Sequence, residues 1–272
     1  MIHWSRRLMA PLTTAINHRY LIAELTKREI QGRYRGASFG LLWSLISPFL
    51  MLMVYTFAFE NILKNKWPSD GRGTDSFAIV LFVGLIVHGF FAECFSRSPV
   101  LITGNANYVK KVVFPLEILP FPVLLSALFH TGMNIAVLLV LMLCVQGYVP
   151  FTAFLLPVVL VPFVLLMLGL SWCMAALGVY FRDISQVTGV LSTAVLFTSS
   201  AIIPTSVVSE RYRPIFELNP LTIIVDQARE VVLWGGVPDW YALGLYSAIG
   251  MAISLVGYAG FMATRKGFAD VL

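Results

Sequence analysis

Charged side chains are scarce in this sequence, and their scarcity excludes an ordinary soluble fold. They supply 12% of the 272 residues, while hydrophobic residues supply 58% and the mean hydropathy is +0.82. Soluble domains carry about 25% charged residues, roughly twice this share. A chain of this length with so little polar surface is expected to be a membrane protein.

Recognised catalytic and nucleotide-binding motifs are also missing. The sequence has no GxxxxGK[ST] phosphate loop, no HExxH, no GxSxG and no CxxC. Cys94, Cys144 and Cys173 lie in apolar stretches without the spacing of metal ligands, and they are interpreted as small core hydrophobes. We therefore expect no catalytic residue, no metal and no cofactor on this chain, so that any energy for transport comes from another subunit.

The stretches without charge have the lengths of membrane spans. Five of them contain no Asp, Glu, Lys or Arg: 36–59, 76–92, 118–181, 184–209 and 240–264. About 20 apolar residues cross a bilayer, and the longest stretch has room for two spans joined at GYVPF (147–151). The sequence therefore predicts an all-α polytopic membrane protein of one domain, 1–272. Six spans lie within 36–264, between a segment 1–35 and a tail 265–272.

Positive charge is concentrated on one side of the predicted spans. Lys and Arg accumulate on the cytoplasmic side of membranes, and with six spans both termini share a side. The segments assigned to that side hold 13 of the 19 Lys and Arg residues: Arg6, Arg7, Arg19, Lys27, Arg28, Arg33, Arg35, Arg97, Lys110, Lys111, Arg182, Arg265 and Lys266. Both termini are therefore predicted to be cytoplasmic. The net charge of +5 is attributed to contact with anionic membrane lipids, and no nucleic acid is expected as a partner.

The segment before the first span predicts an interfacial helix. It contains no continuous apolar run of the kind a cleaved leader needs. Asn17–Gln31 pairs Glu24 with Arg28 at i,i+4 and offers an apolar edge, which is typical of an amphipathic helix on the membrane surface. An ordinary polar leader is the alternative. Gly32, Gly36, Gly40 and Ser44 then recur every four residues, which predicts a flat stripe for close helix approach, unless glycine is simply frequent there.

Aromatic and ionisable residues within the spans have two possible roles. The aromatic residues of the first two spans either face lipid or line a passage, where ring faces stack weakly on sugar rings. His88, Glu93 and His130 are ionisable groups at membrane depth, where such groups are costly and often functional. None has a partner visible in the sequence, and the two histidines are interpreted as hydrogen-bonded structural groups.

Two connecting segments do not read as simple loops. Residues 104–120, GNANYVKKVVFPLEILP, predict a short basic helix from Tyr108 to Phe114 with Asn107 as its cap. Such a helix suits docking into a partner's cleft, or it lies on lipid headgroups. Residues 204–240 contain apolar runs too short to cross, broken by proline and glycine. They predict two short helices that dip into the outer leaflet and cap a cavity.

Four separated stretches together resemble the membrane subunit of ABC-2 type polysaccharide exporters, a family that includes O-antigen, teichoic-acid and capsule exporters. The resemblance covers about Leu21 to Phe268 and looks closer to the O-antigen and teichoic-acid branch. The stretches are REIQGRYRGASFGLLWSLISPFLMLMVYTFAF (28–59), NANYVKKVVFPLEILP (105–120), GVYFRDISQV (178–187) and PTSVVSERYRPIFELNPLT (204–222).

The resemblance implies partners and an architecture. Such permeases form homodimers, and each subunit pairs with a separate ABC ATPase subunit that binds ATP and Mg²⁺, giving two ATPase copies. A cytoplasmic coupling helix between spans two and three matches Asn105–Phe114. A re-entrant pair between spans five and six matches Val207–Leu233 and gates the outer exit.

The resemblance also implies roles for particular residues. Contact with the ATPase is expected from Asn105, Asn107, Tyr108, Lys110, Lys111 and Phe114. Residues expected to line a channel on the dimer axis are Trp43, Tyr55, Phe57, Phe90 and Phe197. The outer gate is assigned to Arg211, Tyr212, Pro214, Asn219 and Pro220. The substrate head group is assigned to Arg28, Arg33 and Arg35, whose planar donor forks suit phosphate oxygens; the alternative is that they only orient the first span.

The expected cargo is a lipid-linked glycan, an undecaprenyl-diphosphate-linked O-antigen, exported across the bacterial inner membrane. An ABC-2 permease for a small drug or lipid is an alternative within the same fold. A transferase acting on polyprenyl-phosphate sugars is an alternative from another class. It would need clustered acids on cytoplasmic loops, where the sequence offers only Glu117 and Asp183.

Overall fold

The computed structural model describes residues 10–64, 66–68, 76–109 and 114–272, and these residues are almost entirely helical. Extended pairing among them is limited to one isolated bridge between Lys66 and Ser76. The α-helices, numbered α1 to α12 in chain order, are Ala10–Asn17, Arg19–Arg33, Trp43–Tyr55, Phe77–Arg97, Ala106–Val109, Pro120–Gln146, Leu156–Tyr180, Ile184–Phe197, Arg213–Glu217, Pro220–Val232, Trp240–Thr264 and Phe268–Val271.

Five helical segments of the described chain are long and apolar enough to cross a membrane. They are Gly40–Ile62, Phe77–Val100, Leu116–Gln146, Phe151–Tyr180 and Trp240–Val271. The first includes a 3₁₀ turn before α3 and a π-helical turn, Thr56–Ile62, after it. The prediction of an all-α polytopic membrane protein is confirmed. The joint at 147–151 is also present, since α6 ends at Gln146 and Gly147 adopts a left-handed conformation with φ 77°.

The fifth predicted span, 184–209, forms a shorter helix than the sequence suggests. α8 has 14 residues, which corresponds to about 21 Å of rise, less than the roughly 30 Å of a hydrocarbon core. After Phe197 the chain leaves the helix, and it enters turns around Ser199–Ala201. Buried side chains from α10 bind the backbone of these turns, so tertiary contacts end the helix although the sequence stays apolar.

The core is built around α4. In the most apolar part of the second span, 72% of the residues are buried inside the protein, compared with 11% in the first span. α4 contributes Phe82, Phe90 and Phe91 to the main cluster of buried side chains, and α7 contributes Phe163 and Trp172. The first span therefore lies at the periphery of the single chain, and the second span lies at its centre.

Glycine brings α7 and α11 into close contact. A Cβ on Gly169 would meet the backbone of Ile253 and Ser254, and a Cβ on Gly257 would meet the carbonyl of Gly169. Small residues let membrane helices approach closely where apolar burial offers no driving force. This close approach between α7 and α11 was not predicted from the sequence.

The predicted stripe of small residues before the first span is wrong. α2 ends at Arg33, and residues 34–39 form turns, so Gly32, Gly36 and Gly40 do not share one helix. Gly36 and Gly40 have φ of 85° and 50°, which glycine adopts without steric cost. A Cβ on any of the three would meet nothing within 4 Å. These glycines permit the sharp turn between α2 and the first span.

The predicted amphipathic helix Asn17–Gln31 corresponds closely to α2, Arg19–Arg33. Its apolar edge is used, because Ile22 and Leu25 are buried against Ile118 in a cluster separate from the main core. Tyr20 is 75% exposed. Of the cysteines, Cys94 is buried but Cys144 is exposed, so the interpretation as core hydrophobes is wrong for Cys144.

Replacing Gly257 by Ala is expected to destabilise the α7–α11 pair by about 1–3 kcal/mol, because the added Cβ overlaps the Gly169 carbonyl. Gly260→Ala is the matched control: Gly260 lies on the same helix, and a Cβ there meets open space. The Tm of each purified variant in detergent measures the difference. Equal Tm values for the two variants would contradict the packing described here.

Candidate functional site

A charged cluster joins α2, α4 and α6 at one end of the bundle. The Glu93 carboxylate on α4 accepts a hydrogen bond from Arg33 Nη1 of α2 at 2.7 Å, and Arg97 Nη1 lies 3.3 Å from the same oxygen. Nδ1 of His130 on α6 lies 3.2 Å from the other carboxylate oxygen, Oε2. Arg97 also pairs with Glu29 of α2. Pairing of this kind offsets the cost of placing charge at membrane depth.

The cluster borders a cavity of about 830 Å³. Its wall combines arginines with aromatic and small polar groups. The lining includes Arg28, Arg33, Arg97, Glu29, Glu93, His130, Tyr34, Trp43, Phe90, Ser44, Ser47, Thr131 and Asn134. Of the residues assigned to the head group, Arg28 and Arg33 line this cavity, whereas Arg35 lies in the turn after α2 and not in the lining.

The predicted coupling segment is helical over a short part of its length. A 3₁₀ turn, Thr103–Asn105, leads into α5, Ala106–Val109. Asn107 lies inside this helix and is not its cap, and Asn105 Nδ2 donates to the Leu101 carbonyl at 2.9 Å. Lys110 and Lys111 lie outside the described residues.

Tyr108 connects the coupling segment to α2. Its ring stacks on Phe114 with centroids 4.3 Å apart, and its hydroxyl accepts a hydrogen bond from Arg28 Nη1 at 3.1 Å. The two aromatic residues expected to face a partner are therefore held as one unit, and Arg28 joins that unit to the wall of the cavity.

The segment between α5 and α6 is fastened to the C-terminal part of the chain. Arg265 Nη1 donates to Glu117 Oε2 at 2.7 Å, and its Nη2 donates to the Phe114 carbonyl at 3.2 Å. Trp172 Nε1 donates to the Glu117 carbonyl at 3.0 Å. Glu117, an isolated acid in the sequence, is thus paired across 148 positions.

The single chain does not gather the five aromatic residues assigned to a channel. Trp43 and Phe90 border the charged cavity. Phe90 is buried, and its ring centroid lies 5.5 Å from that of Phe163. Tyr55 and Phe57 lie beyond them along the first span, and Phe57 is 60% exposed. Phe197 is 55% exposed at the end of α8.

The residues assigned to an outer gate fall into two groups. Asn219 and Pro220 form a buried joint: Asn219 caps α10 through Leu221 N at 2.9 Å and donates to the Val195 carbonyl at 2.8 Å. Tyr246 donates to the Pro220 carbonyl at 2.9 Å. Arg211, Tyr212 and Pro214 are exposed at the start of α9, and the guanidinium of Arg211 lies 5.7 Å from the Tyr212 ring centroid.

Arg229, which the sequence analysis did not single out, is fully buried on α10. Its three guanidinium nitrogens donate to the carbonyls of Val80 at 3.1 Å, Ser200 at 2.7 Å and Ala201 at 2.8 Å. The guanidinium also lies 4.4 Å from the Trp67 ring centroid. A guanidinium group stays protonated in proteins, so Arg229 is a buried cation. Arg229 therefore fixes α10 to α4 and to the turns after α8.

The contacts described above involve residues along most of the chain, and the similarity of the chain to known proteins also covers most of its length. Residues 20–233 match the ABC-2 type transporter family. The chain belongs to the ABC-2 type transporter family. It is accordingly a multi-pass membrane component of a transporter and not an enzyme, and ATP hydrolysis belongs to a separate ABC ATPase subunit.

Curated ABC-2 transporters from several bacteria are similar over nearly the whole length. The O-antigen export system permease protein RfbA of Klebsiella pneumoniae is 25% identical over 254 residues, which cover 93% of this chain and 95% of the relative. RfbA of Myxococcus xanthus is 25% identical over 255 residues, with the same coverage. The polysialic acid transport protein KpsM of Escherichia coli is 24% identical over 241 residues, covering 88% of this chain and 91% of KpsM.

Part of this ABC-2 chain's charged network is readable from the sequence. The interpretation that Glu93 has no partner visible in the sequence is wrong, because Arg97 lies at i,i+4 and such residues face each other on a helix. Arg229 is the single cation in PLTIIVDQAREVV, an isolation that marks it as unusual. The pairing of Arg265 with Glu117 left no local signal, since the two residues are far apart in sequence.

Arg229→Met is expected to destabilise this ABC-2 subunit by about 3–5 kcal/mol, because three buried carbonyl groups lose their donors. The loss of stability in Arg229→Lys should lie between that of Arg229→Met and that of the unaltered protein, since lysine keeps the charge but lacks the planar fork. Arg211→Met, at an exposed position, is the control. The Tm in detergent and the amount of subunit in membranes are the measurements. An Arg229→Met protein as stable as the control would show that the buried network is dispensable.

Proposed function

We propose that this chain is the permease subunit of an ATP-driven exporter that moves a lipid-linked polysaccharide from the cytoplasm across the bacterial inner membrane. The cargo we infer is an undecaprenyl-diphosphate-linked glycan of the O-antigen type. The observation that carries the proposal is the similarity to two RfbA permeases over 93% of this chain and 95% of each relative. Because the similarity covers nearly the full length of this chain and of each relative, a shared transport role is the simplest explanation.

The proposed architecture has six spans, with α8 as the fifth and with α9 and α10 as a re-entrant pair, between Val207 and Leu233. The two short helices are followed by α11, a full-length span. Broken backbone at membrane depth persists only where protein or water covers it. The capping by Asn219 and the donors of Arg229 supply such cover, which supports placing this segment within the membrane. Both termini are proposed to be cytoplasmic, from the distribution of Lys and Arg.

The proposed assembly contains two copies of this chain and two ATPase subunits. In the single chain, the first span and α8 leave much of their apolar surface uncovered, as Phe49, Met53, Phe57, Val190 and Phe197 illustrate. A second copy that packs on these helices would bring Phe57 and Phe197 towards a shared axis. The aromatic residues would then offer weak, repeated contacts to a sliding glycan, together with Trp43, Tyr55 and Phe90.

The ATPase is proposed to dock on Asn105–Phe114. Tyr108 supports this assignment because it belongs to the docking segment and contacts α2 through its hydrogen bond with Arg28. The link from Arg265 to Glu117 and Phe114 holds the far end of the same segment. A displacement of the segment by the ATPase would therefore act on α2, and on the cavity that Arg28 and Arg33 line. Arg28 and Arg33 are proposed to attract the diphosphate head, with Arg35 beside the entrance.

Deleting the gene for this chain in its native host is expected to abolish the surface polysaccharide and to raise the amount of lipid-linked glycan in the cytoplasmic leaflet. Gel analysis of surface glycan and mass spectrometry of extracted polyprenyl lipids are the measurements, and plasmid-borne restoration is the control. Surface glycan that persists in the deletion strain would overturn the proposal. Increased retention of a small dye with unchanged glycan would instead favour export of a small molecule.

Replacing Tyr108 tests the coupling assignment. Tyr108→Phe removes the hydrogen bond to Arg28 but keeps the stacking on Phe114, whereas Tyr108→Ala removes both. Because stacked aromatic pairs contribute about 0.5–1.5 kcal/mol beyond burial, the alanine variant should lose more glycan export per ATP hydrolysed. Export and ATP hydrolysis are measured on the reconstituted complex with its ATPase. If both variants export as much glycan per ATP hydrolysed as the unaltered protein, Tyr108 plays no part in coupling.

A further inference from the structure

Glu93 is the shared acceptor of three donor side chains. Arg33, Arg97 and His130 all approach it, at 2.7, 3.3 and 3.2 Å. Arginine forks bind carboxylate and phosphate oxygens with similar geometry. The carboxylate thus occupies the position that an anionic oxygen of a ligand would take beside the cavity.

The four groups differ in how freely they can move. Side-chain exposure is 51% for Arg33 and 35% for Arg97, but 14% for Glu93 and 12% for His130. The two arginines are the more exposed members of the cluster, and the acid and the imidazole are the more buried ones. The arginines can therefore turn to a ligand, while His130 remains within reach of the Glu93 carboxylate.

We propose that Glu93 is an internal counter-ion that a diphosphate-bearing lipid head displaces. Without the lipid head, Glu93 pairs with Arg33, Arg97 and His130. When the lipid head enters the cavity, its phosphate oxygens take over both arginines, and Glu93 keeps His130 as its hydrogen-bond partner. The inference rests on the proposed function for the nature of the lipid, and it adds Arg97, Glu93 and His130 to the site.

The lining is suited to a phosphate head that has several oxygens. The charged groups that line the cavity are three arginines and two carboxylates, together with His130. A diphosphate carries oxygens on two phosphorus atoms, so it can contact Arg33 and Arg97 at once. Exchange leaves Glu93, whose side chain is 14% exposed, in contact with His130, and so avoids the cost of an isolated buried ion. Glu29 is 33% exposed, so water can replace its contact with Arg97.

The test measures binding to the full-length chain, assembled with its ATPase subunit in nanodiscs of zwitterionic lipid. The probe is farnesyl-diphosphate-linked N-acetylglucosamine, and phosphatidylglycerol is the competing phosphate source. Glu93→Gln is expected to tighten probe binding about tenfold, a change that corresponds to about 1.4 kcal/mol. Arg33→Gln and Arg97→Gln are each expected to weaken it about tenfold or more. Lys27→Gln is the control, because Lys27 is exposed on α2 and does not line the cavity.

His130→Gln provides a readout that a purely structural role would not give. In the presence of Glu93 it should weaken binding, because the carboxylate then lacks a partner once the arginines leave. In the Glu93→Gln background the same change should have little effect, so the two substitutions should be strongly non-additive. The Tm of every variant is recorded beside its affinity.

Three results would overturn the proposal. One is a folded Glu93→Gln protein that binds the probe no more tightly than the unaltered chain. Another is unchanged binding in the Arg33 and Arg97 variants, which decides the matter even if Glu93→Gln fails to fold. The third is equal competition by phosphatidylglycerol, which would make the site a phospholipid site. If gene deletion still abolishes the surface glycan, any of these results contradicts the exchange site and leaves the export function standing.

Discussion

A backbone carbonyl that a helix end leaves in an apolar layer needs a donor, and Arg229 meets this need for two carbonyls while its third donor reaches α4. Its donors reach Val80 on α4 and Ser200 and Ala201 in the turns after α8. The irregular backbone there is tolerated because the guanidinium satisfies it. Arg229 therefore connects three features of the fold. These are the short α10, the early end of α8 and the position of the central α4.

The opposite end of the bundle is organised by a series of charge contacts. Tyr108 touches Arg28, α2 carries Arg28 and Arg33 on one helix, and Arg33 reaches Glu93 in the second span. A short segment between spans is thus connected to a charged cavity through a single surface helix. If an ATPase docks on that segment, as proposed, its movement reaches the cavity without passing through the packed core.

The sequence predicts those features that arise locally. Charge-free runs locate the five long helical segments and the joint at Gly147, and the charge pattern predicts α2 nearly to its ends. The flat glycine stripe was wrong because positive φ at Gly36 and Gly40 cannot be read from spacing alone. The early end of α8, the contacts of Glu93 with Arg33 and His130, and the acceptors of Arg229 depend on residues distant in the chain. The pairing of Glu93 with Arg97, four positions apart on one helix, is local and left a signal.

The position of Arg229 has a consequence for biogenesis. All three carbonyls that it binds lie earlier in the sequence, the farthest by 149 positions. During synthesis from the N-terminus, the acceptors are therefore made before the arginine leaves the ribosome. A charged side chain that enters the membrane alone is costly, but this one finds its site already assembled. The order of residues along the chain thus allows the broken outer segment to be inserted after α4 and the turns that carry its acceptors.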